Sequence, residues 1–449
     1  CLPPMWRDEM RNLGIGIDEK GSRRLWRREI GRSLLAGICS ALKAVQGAFI
    51  STHDVPAHSY LCVHNINSAQ LPGNANQPGY DFVTWLQGNT FYIRDSGAIV
   101  AVSSTAQEAK FSDLVVTRNQ FPRLKGVQVK LAFMGTIFGL LTKSIWRAAS
   151  GQWWWATLLS DGIWLAYAAR LPTKDRAATH VFHSGTFQYR PLWTYLAHSQ
   201  GARVIMQFVS TNFIAFGTRS GQPRGRFPGL AAMTWPQYGV WDSIQAENLS
   251  AIGLPREHMV LTGSVGYAES PLPLPDLPER FVAVFDVAPR RSSWLAENGV
   301  IVPYNFAPIA ICFLTEVIAA ARAHGLPVVL KQKHGAGREA DKRYQRLMEQ
   351  LGAADDVIIV DPDYSAHRLI DRAAAVVSYP FTSTAFVAAE RNKPSVFFDP
   401  LAILGTANDD LTRGISVAAG HRDLDRWFKS LQRVNLPIVG DLAARADGT

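Results

Sequence analysis

Two groups of polar side chains stand where predicted strands end in the C-terminal half of the chain. Thr382, Ser383 and Thr384 come directly before a predicted helix, and Lys331 and His334 follow another predicted strand. Hydroxyl and unpaired N–H groups at a helix N-terminus bind anions, and a lysine and a histidine add positive charge. These residues therefore predict a phosphate site, and we expect the phosphate of a nucleotide. The alternatives are a solvated loop for His334 and a simple helix cap for the hydroxyl run.

Two charged residues belong to the same predicted region. Glu390 lies one and a half helical turns beyond Thr384, where a carboxylate can bind ribose hydroxyls. Arg290 ends an earlier predicted strand and can meet a phosphate or a carboxylate of the ligand. For both residues the alternative is ordinary surface charge.

A regular alternation of strands and helices must position these groups. Five strands are predicted between Phe281 and Pro400, among them residues 281–287, 327–333, 357–360 and 374–378. Strands that alternate with helices are typical of a doubly wound parallel sheet, whose ligands bind beyond the carboxyl ends of its strands.

An earlier stretch shows the same alternation. Residues 179–182 and 202–208 read as strands around a helix at 191–198, and a third strand is predicted at 259–262. This predicts a second, mostly parallel sheet. Residues 90–94 and 98–103 predict a hairpin within an N-terminal elaboration.

The length of 449 residues favours two large domains. We expect an α/β protein with a Rossmann-like domain and helical elaboration over 1–270, and a proline-rich linker over 271–280. A nucleotide-binding Rossmann-like domain over 281–420 follows, with a tail over 421–449 that forms a helix crossing back.

Basic and aromatic side chains interleave over residues 118–155, and no acidic residue lies between Asp113 and Asp161. Such a segment is typical of a helix at a lipid headgroup interface, and a buried helix pair is the alternative. An amphipathic basic helix is also predicted within the first fifty residues, and it is expected to pack on the protein. No uninterrupted apolar run approaches the length of a spanning helix.

The composition narrows the class of partner. The 46 basic and 37 acidic side chains give a net charge of +9, which favours anionic partners. No recognisable nucleic-acid-binding motif accompanies the charge, so nucleic acid is not expected. The four cysteines show no CxxC or zinc spacing, which predicts no metal site and a reducing compartment. We expect a cytoplasmic protein at the inner face of the cell membrane.

Three stretches carry a resemblance to a known family. They are residues 378–386, continuing to 391–400 and containing Pro380-Phe381-Thr382-Ser383, residues 189–195, and residues 235–242. Together they resemble the polysaccharide biosynthesis PFTS-motif proteins. More remotely, the Lys/His strand end and the Ser/Thr-rich helix start are similar to GT-B transferases that use CMP-activated sialic acid or Kdo. Those enzymes carry His-Pro where this chain has His334-Gly335.

The resemblance implies a GT-B-like fold, with two Rossmann-like domains facing across a cleft, and a general base from the first domain. Asp242 is the favoured base, with Asp161, Glu247 and His183 as further candidates, and a cap on the following helix is the alternative for Asp242. In the same motifs, Arg190, Tyr238 and Trp241 are the expected acceptor contacts.

The implied function is a glycosyltransferase of surface polysaccharide synthesis. It would move a sugar, favoured as an acidic ulosonic acid from a CMP donor, to a glycan or lipid-linked glycan acceptor without a metal or another cofactor. A nucleotide-sugar epimerase or glycerophosphotransferase on the same fold is one alternative. A non-catalytic assembly protein at the membrane surface is another.

Overall fold

The computed structural model describes residues 18–50, 59–72, 82–94, 97–110, 113–184, 189–211, 217–220, 230, 232–265, 273–287, 289–292, 304, 306–332, 340–362, 364–405 and 408–433. The chain divides into two compact units. Unit 1 holds residues 1–67, 90–206 and 234–236, and unit 2 holds 68–89, 207–233 and 237–449. This division departs from the boundary expected at 271–280, since residues 237–265 belong to unit 2.

The strands of the described residues are short and mostly buried. They are β1 Tyr60–Val63, β2 Ala98–Val102, β3 Ala109–Lys110, β4 Leu114–Thr117, β5 Thr179–His183, β6 Arg203–Gln207, β7 Gln237–Val240, β8 Met259–Leu261, β9 Val282–Phe285, β10 Val328–Lys331, β11 Val357–Val360, β12 Ala375–Ser378, β13 Ser395–Asp399 and β14 Ser416–Ala419.

The helices of the described residues vary more in length. They are α1 Glu19–Ile50, α2 Phe82–Gly88, α3 Thr90–Ile93, α4 Val127–Ala149, α5 Trp154–Thr157, α6 Leu159–Ala168, α7 Trp193–Ser199, α8 Ser243–Ala251, α9 Ala307–Ala323, α10 Lys342–Leu351, α11 Ala366–Arg372, α12 Ser383–Glu390, α13 Asp409–Thr412 and α14 His421–Arg433.

Unit 1 is built on a mostly parallel sheet in which its strands follow the order β3-β4-β2-β1-β5-β6. β1 pairs in parallel with β2 and β5, β2 pairs in parallel with β4, and β3 is antiparallel to β4. The hairpin predicted around residues 95–97 is wrong. Thr90–Ile93 is a helical turn, and Ala98–Val102 is an interior strand between β1 and β4.

Long helices cover part of unit 1 and pack closely on one another. α1 approaches α6 where Gly37 lacks a side chain, because a Cβ there would lie 2.4 Å from Leu159 Cδ2. The hydroxyls of Ser40 and Ser160 hydrogen-bond at 2.7 Å across the same contact. On α4, the ring of Phe133 is buried edge-on against Tyr167. One side of each long helix is therefore fixed to the body of unit 1.

The large sheet of unit 2 has the strand order β11-β10-β9-β12-β13-β14, and every pairing is parallel. In chain order this is 3-2-1-4-5-6, the doubly wound arrangement of dinucleotide-binding domains. The structure confirms the α/β class, with a Rossmann-like sheet formed by β9 to β14. The predicted tail helix is α14, which packs within unit 2: Phe428 stacks on His324 at 5.6 Å.

Candidate functional site

The centre of the unit 2 sheet is the point where its strand order reverses. β9 and β12 are neighbours there, with Ser378 opposite Phe285, and the N–H of Tyr379 donates to the Phe285 oxygen at 2.9 Å. Chain connections leave these two strands toward opposite sides of the sheet, which opens a crevice at their carboxyl ends. The Pro380-Phe381-Thr382-Ser383 motif follows β12 directly and so lies at this crevice.

The motif forms a tight turn of unusual backbone shape. The N–H of Thr382 donates to the oxygen of Tyr379 at 3.2 Å, with Pro380 and Phe381 between them. Phe381 has φ of 60°, so the turn carries proline and a left-handed residue in the positions that a type II turn requires. A left-handed conformation costs a non-glycine residue roughly 1–2 kcal/mol. The buried Phe381 ring, packed on Phe397 at 5.5 Å, offsets that cost.

The three hydroxyl residues begin helix α12, as predicted. Thr382 is the N-cap residue, but its side chain makes no capping bond, because its hydroxyl donates to the Tyr379 oxygen at 2.8 Å. The hydroxyls of Thr384 and Ser378 hydrogen-bond at 2.9 Å. The Thr382 side chain thus leaves the N–H groups of the first turn, which begins at Ser383, available for an anion. This arrangement does not fit the alternative of a simple side-chain cap.

The other predicted donor contacts are less simple. Lys331 ends β10 and is buried, and its ammonium group donates to the Pro362 oxygen at 2.7 Å. His334 lies outside the described residues. Arg290 forms an isolated bridge with Ala340 next to the end of β9. Of these three residues, Lys331 lies at a strand end as predicted. Its ammonium group is bonded to a backbone oxygen and does not extend away from the sheet.

Asp286 is a site residue that the sequence reading missed. It follows β9 directly, is 3% exposed, and accepts a hydrogen bond from the Tyr344 hydroxyl. The Tyr344 oxygen in turn lies 3.1 Å from Gln332 Nε2. The second carboxyl oxygen of Asp286 has no hydrogen-bond partner among the described residues. Burial raises the pKa of Asp286 to about 6, although the Tyr344 hydrogen bond and the Lys331 charge act in the opposite direction.

Glu390 lies far from the hydroxyl cluster along α12. Six residues separate it from Thr384, which is about 9 Å of helical rise. Its charge instead acts on Arg413, whose pKa is lowered by burial and raised by the carboxylates of Asp242 and Glu390. The geometry therefore does not favour the predicted ribose contact for Glu390.

Asp242 is engaged in structural contacts. It caps α8 by accepting the N–H of Gln245 at 2.8 Å, and its other oxygen pairs with Arg413 at 2.6 Å. The Arg413 guanidinium also lies over the Phe386 ring, 4.6 Å from its centre. The helix-cap alternative therefore accounts for Asp242, and the carboxylate is not poised to take a proton.

Asp242→Asn should separate these two roles. Asparagine still caps a helix, but it cannot pair with Arg413, so we expect a loss of about 1–2 kcal/mol in the free energy of unfolding. Activity per folded molecule should remain. Urea unfolding and kcat measured on the same preparation test this, and a large fall in kcat without a loss of stability would restore Asp242 as the base.

The two aromatic residues predicted to contact the acceptor are buried. Tyr238 is 0% exposed, and Trp241 is buried with its indole N–H donating to the Phe208 oxygen at 2.8 Å. The prediction that these rings pack on a sugar face is not supported, because both lie in the core. Arg190 bonds Thr194 through its Nε at 3.0 Å and lies 3.8 Å from the centre of the Tyr195 ring. It braces the start of α7.

A cavity of about 1010 Å³ lies in unit 1. Its wall contains both charges and aromatic rings, among them Lys43, Glu108, Arg118, Asp161, Trp164 and Trp193. Burial raises the pKa of Asp161, which is half-buried at the start of α6. Charged groups beside aromatic faces suit a sugar with an acidic or phosphorylated substituent. Of the three predicted carboxylate bases, Asp242, Asp161 and Glu247, Asp161 is the one in this wall.

His183 is the second candidate base close to the cavity. It ends β5, is buried, and its Nε2 lies 3.2 Å from the backbone oxygen of Asn65, a cavity residue. Because a carbonyl oxygen only accepts, Nε2 carries the proton, and the neutral ring keeps Nδ1 as its basic atom. Burial lowers the pKa of His183, so the ring is neutral at physiological pH. A neutral imidazole can accept a proton, but Nδ1 is buried here and His183 is not one of the residues of the cavity wall, so an acceptor reaches it only after the local structure moves.

A histidine pair, His64 and His180, lies on the same sheet next to the Cys62 thiol. The ligand atoms of Cys62, His64 and His180 all lie within 4.8 Å of one another, and Cys62 is opposite His180 in the strand register. These are donors that zinc takes, and the predicted absence of a metal site overlooked them because one donor comes from another strand. Burial lowers the pKa of His180 to about 3 and raises that of the Cys62 thiol. With the two rings hydrogen-bonded at 3.1 Å, the neutral groups fit core packing.

Residues 133–428 match the family described as polysaccharide biosynthesis PFTS motif protein. A search of curated protein sequences found no match.

Among solved structures, the chain is similar to UDP-N-acetylglucosamine 2-epimerase from Rickettsia bellii, with 10% identity, a TM-score of 0.40, and coverage of 84% of this chain and 88% of that one. It is similar to the wall teichoic acid polymerase TagF, with 11% identity, a TM-score of 0.41, and coverage of 92% and 88%. Anabaena Alr3699/HepE, in complex with UDP and glucose, gives 11% identity, a TM-score of 0.39, and coverage of 84% and 90%. Similarities of this size assign no function.

Proposed function

Because this chain belongs to the polysaccharide biosynthesis PFTS motif protein family, we propose that it is a glycosyltransferase that moves a sugar from a nucleotide-sugar donor to a glycan acceptor. The donor binds unit 2 at the carboxyl ends of β9 and β12. The acceptor binds unit 1 at the 1010 Å³ cavity. A CMP donor that carries an acidic ulosonic acid is the favoured form of the proposal, and no metal is needed.

One observation carries the donor side of the proposal. The family motif stands at the strand-order reversal of a 3-2-1-4-5-6 sheet, directly before a helix whose N-cap side chain makes no capping bond. Ligand phosphates bind at this position in doubly wound sheets, because the crevice, the free N–H groups and the helix dipole coincide there. The Ser383 hydroxyl adds a donor without adding charge, whereas the Thr382 hydroxyl already donates to the Tyr379 oxygen.

The proposed reaction is a direct transfer. His183 Nδ1 takes the proton of an acceptor hydroxyl, whose oxygen bonds to the anomeric carbon of the donor sugar. The bond from that carbon to the phosphate oxygen breaks, and the nucleotide leaves with the negative charge. The N–H groups at the start of α12 stabilise that charge, so departure needs no metal. Asp161 is the alternative base in unit 1.

Nucleotide binding tests the donor side. We expect CMP at a free concentration about 100 times its dissociation constant to raise the free energy of unfolding by about 2.7 kcal/mol. A thermal-shift series with CMP, CDP, UDP and GDP measures this and ranks the bases. A shift with UDP and none with CMP would overturn the choice of CMP but keep the transferase, whereas no shift with any nucleotide would sink the donor site.

Two variants sharpen the assignment. Thr382→Val with Ser383→Ala removes both hydroxyls and should weaken nucleotide binding. Thr412→Val is the matched control, since the Thr412 hydroxyl makes the same local bond, to the Asp409 oxygen at 2.8 Å, in the same unit.

Product analysis separates the transferase from its rivals. A transferase releases free nucleotide only when acceptor is present, and its product gains the donor sugar. An epimerase would instead return a donor with changed stereochemistry in the absence of acceptor. A glycerophosphotransferase would require a glycerol-bearing donor and would leave nucleotide sugars unchanged.

A further inference from the structure

Most of the large apolar side chains exposed on the described residues lie on the helical layer of unit 1. Outside that layer the same class is represented by Tyr189, Tyr195, Leu261 and Leu401. On the layer the exposed side chains are Leu35, Ile38, Leu42, Phe49 and Ile50 on α1, Val127, Leu131, Met134, Phe138, Ile145 and Trp146 on α4, and Trp154 and Leu158 at α5. We call these the outer face. Scattered exposed apolar residues are ordinary, but a concentration of this kind marks an interaction surface.

The outer face lies opposite the sides of α1 and α4 that already pack against the rest of unit 1. The opposite sides of the same helices are already packed, α1 through Gly37 and Ser40, and α4 through Phe133 and Ile137. The exposed side of α4 is mostly apolar, with Leu131 and Phe138 exposed at 64% and 70%, and its exposed polar side chains are Gln128, Thr142 and Lys143. In both helices, therefore, one side packs against the protein and the other exposes apolar side chains that could contact a second apolar environment.

Cations flank the outer face. Lys130 lies 4.8 Å from the centre of the Phe49 ring, Lys143 lies 4.7 Å from that of Trp155, and Arg147 lies over Trp146. α1 brings further arginines near its start, including Arg27 and Arg28, and Arg32 there is paired with Glu29 at 2.7 Å. The chain has no acidic residue from 114 to 160. Aromatic rings and cations side by side match a lipid interface, where the rings lie at the boundary and the cations meet anionic headgroups. Another protein surface would have to be both apolar and strongly acidic to match it.

The lengths of the helices leave two ways to meet a membrane. Trp26–Ile50 and Val127–Ala149 are long and apolar enough to cross one by length and composition, with 28% and 17% of the relevant window buried. The expectation that no segment reaches this length does not hold for whole helices. Yet Lys130 and Lys143 bound an uncharged stretch of α4 that rises only about 18 Å, against a hydrocarbon core of about 30 Å. With one side fixed to unit 1, each helix suits the interface better than the bilayer centre.

We infer that unit 1 docks on an anionic lipid leaflet through the outer face, with α1 and α4 lying in the headgroup region. The apolar side chains enter the acyl boundary, and the flanking lysines and arginines pair with lipid phosphates. This inference does not depend on the chemistry of the donor site. It agrees with a lipid-linked acceptor, because α1 also lines the unit 1 cavity through Ser40, Lys43 and Gln46.

Vesicle flotation of the full chain tests the inference. Wild-type protein should float with vesicles of phosphatidylcholine and phosphatidylglycerol, less with phosphatidylcholine alone, and less as salt rises. Leu131→Gln/Phe138→Gln/Ile145→Gln should lower the vesicle partition coefficient about 100-fold or more, since three large apolar contacts are lost. Leu261→Gln/Leu401→Gln is the matched control: it changes exposed apolar residues of unit 2 and should float like the wild type.

Three other outcomes would overturn the inference. If the α4 triple variant floats as well as the wild type while its circular dichroism is unchanged, the inference is wrong. If the wild type ignores anionic vesicles but forms a dimer that the triple variant loses, the outer face joins two copies instead. If alkaline carbonate fails to release membrane-bound protein, the helices span the bilayer and interfacial docking is overturned. None of these results bears on nucleotide binding, which is measured without lipid.

Discussion

His183→Gln is expected to lower kcat by roughly 10²- to 10⁴-fold, the usual contribution of a general base, with little change in melting temperature. The glutamine amide can still donate to the Asn65 oxygen, which His183 Nε2 contacts at 3.2 Å in the wild type. It offers no basic nitrogen at the Nδ1 position, so the structural bond survives while proton transfer is lost. Initial rates with saturating donor and acceptor measure the effect.

The pH profile adds a readout that a merely structural role would not move. A base acts in its neutral form, so wild-type kcat/KM should fall as the pH drops through the pKa of His183. Burial lowers that pKa from the ordinary value of about 6.5, so the fall should begin below that pH. His183→Gln should lose this acid limb.

Asp161→Asn is the companion variant in the cavity wall. If His183 is the base, Asp161→Asn should raise KM for the acceptor more than it lowers kcat, because it removes a charge from the wall. If instead His183→Gln keeps near wild-type kcat and Asp161→Asn abolishes turnover, the base is Asp161.

The fold of unit 2 could be predicted because its strands are buried on both faces and read as short apolar runs between turns. Val328–Lys331 and Val357–Val360 are examples. Strand order was not predicted from the sequence, although right-handed crossovers leave few arrangements for such an alternation. The hydroxyl cluster before α12 followed from the same logic, because residues after a strand and before a helix must lie at the ligand edge.

Other features depend on contacts between residues distant in sequence. Asp242 has the residue type of a base, and only the position of Arg413 shows that its carboxylate is already paired. Tyr238 has an aromatic ring suited to sugars, but its place in β7 turns the ring inward. Asp286 was overlooked because a carboxylate after a strand is common, and its burial beside Tyr344 cannot be read from neighbours in sequence. The Cys62–His180 contact likewise joins two strands.

The helical layer of unit 1 could be predicted only in part. The amphipathic pattern of α1 predicted one packed side, which is correct, but no local pattern states whether the other side meets water or lipid. For residues 118–155 the interleaved basic and aromatic side chains already indicated a lipid interface, whereas the exposed apolar side of α1 is seen only in the structure.

Asp286→Asn is expected to stabilise the protein above pH 6. In the unfolded chain this carboxyl group titrates near its ordinary value of about 3.9, whereas burial raises its pKa to about 6 in the folded state. The folded state therefore holds its proton more tightly, and stability is lost as pH rises from about 4 through about 6. A shift of about two pKa units corresponds to about 3 kcal/mol, and asparagine, which never ionises, should recover much of it at pH 8.

Urea unfolding at pH 4, 6 and 8 measures the difference, which should be small at pH 4 and grow with pH. Asp341→Asn is the control of opposite sign in the same unit, because a hydrogen bond from Arg343 lowers the pKa of Asp341, so its loss should destabilise the protein above pH 4. Equal stability of Asp286→Asn and wild type at pH 8 would mean that Asp286 is not buried as a charge. A variant that is stabilised and binds nucleotide more weakly would show that this buried charge is kept at the strand-order reversal for the donor, at the expense of stability.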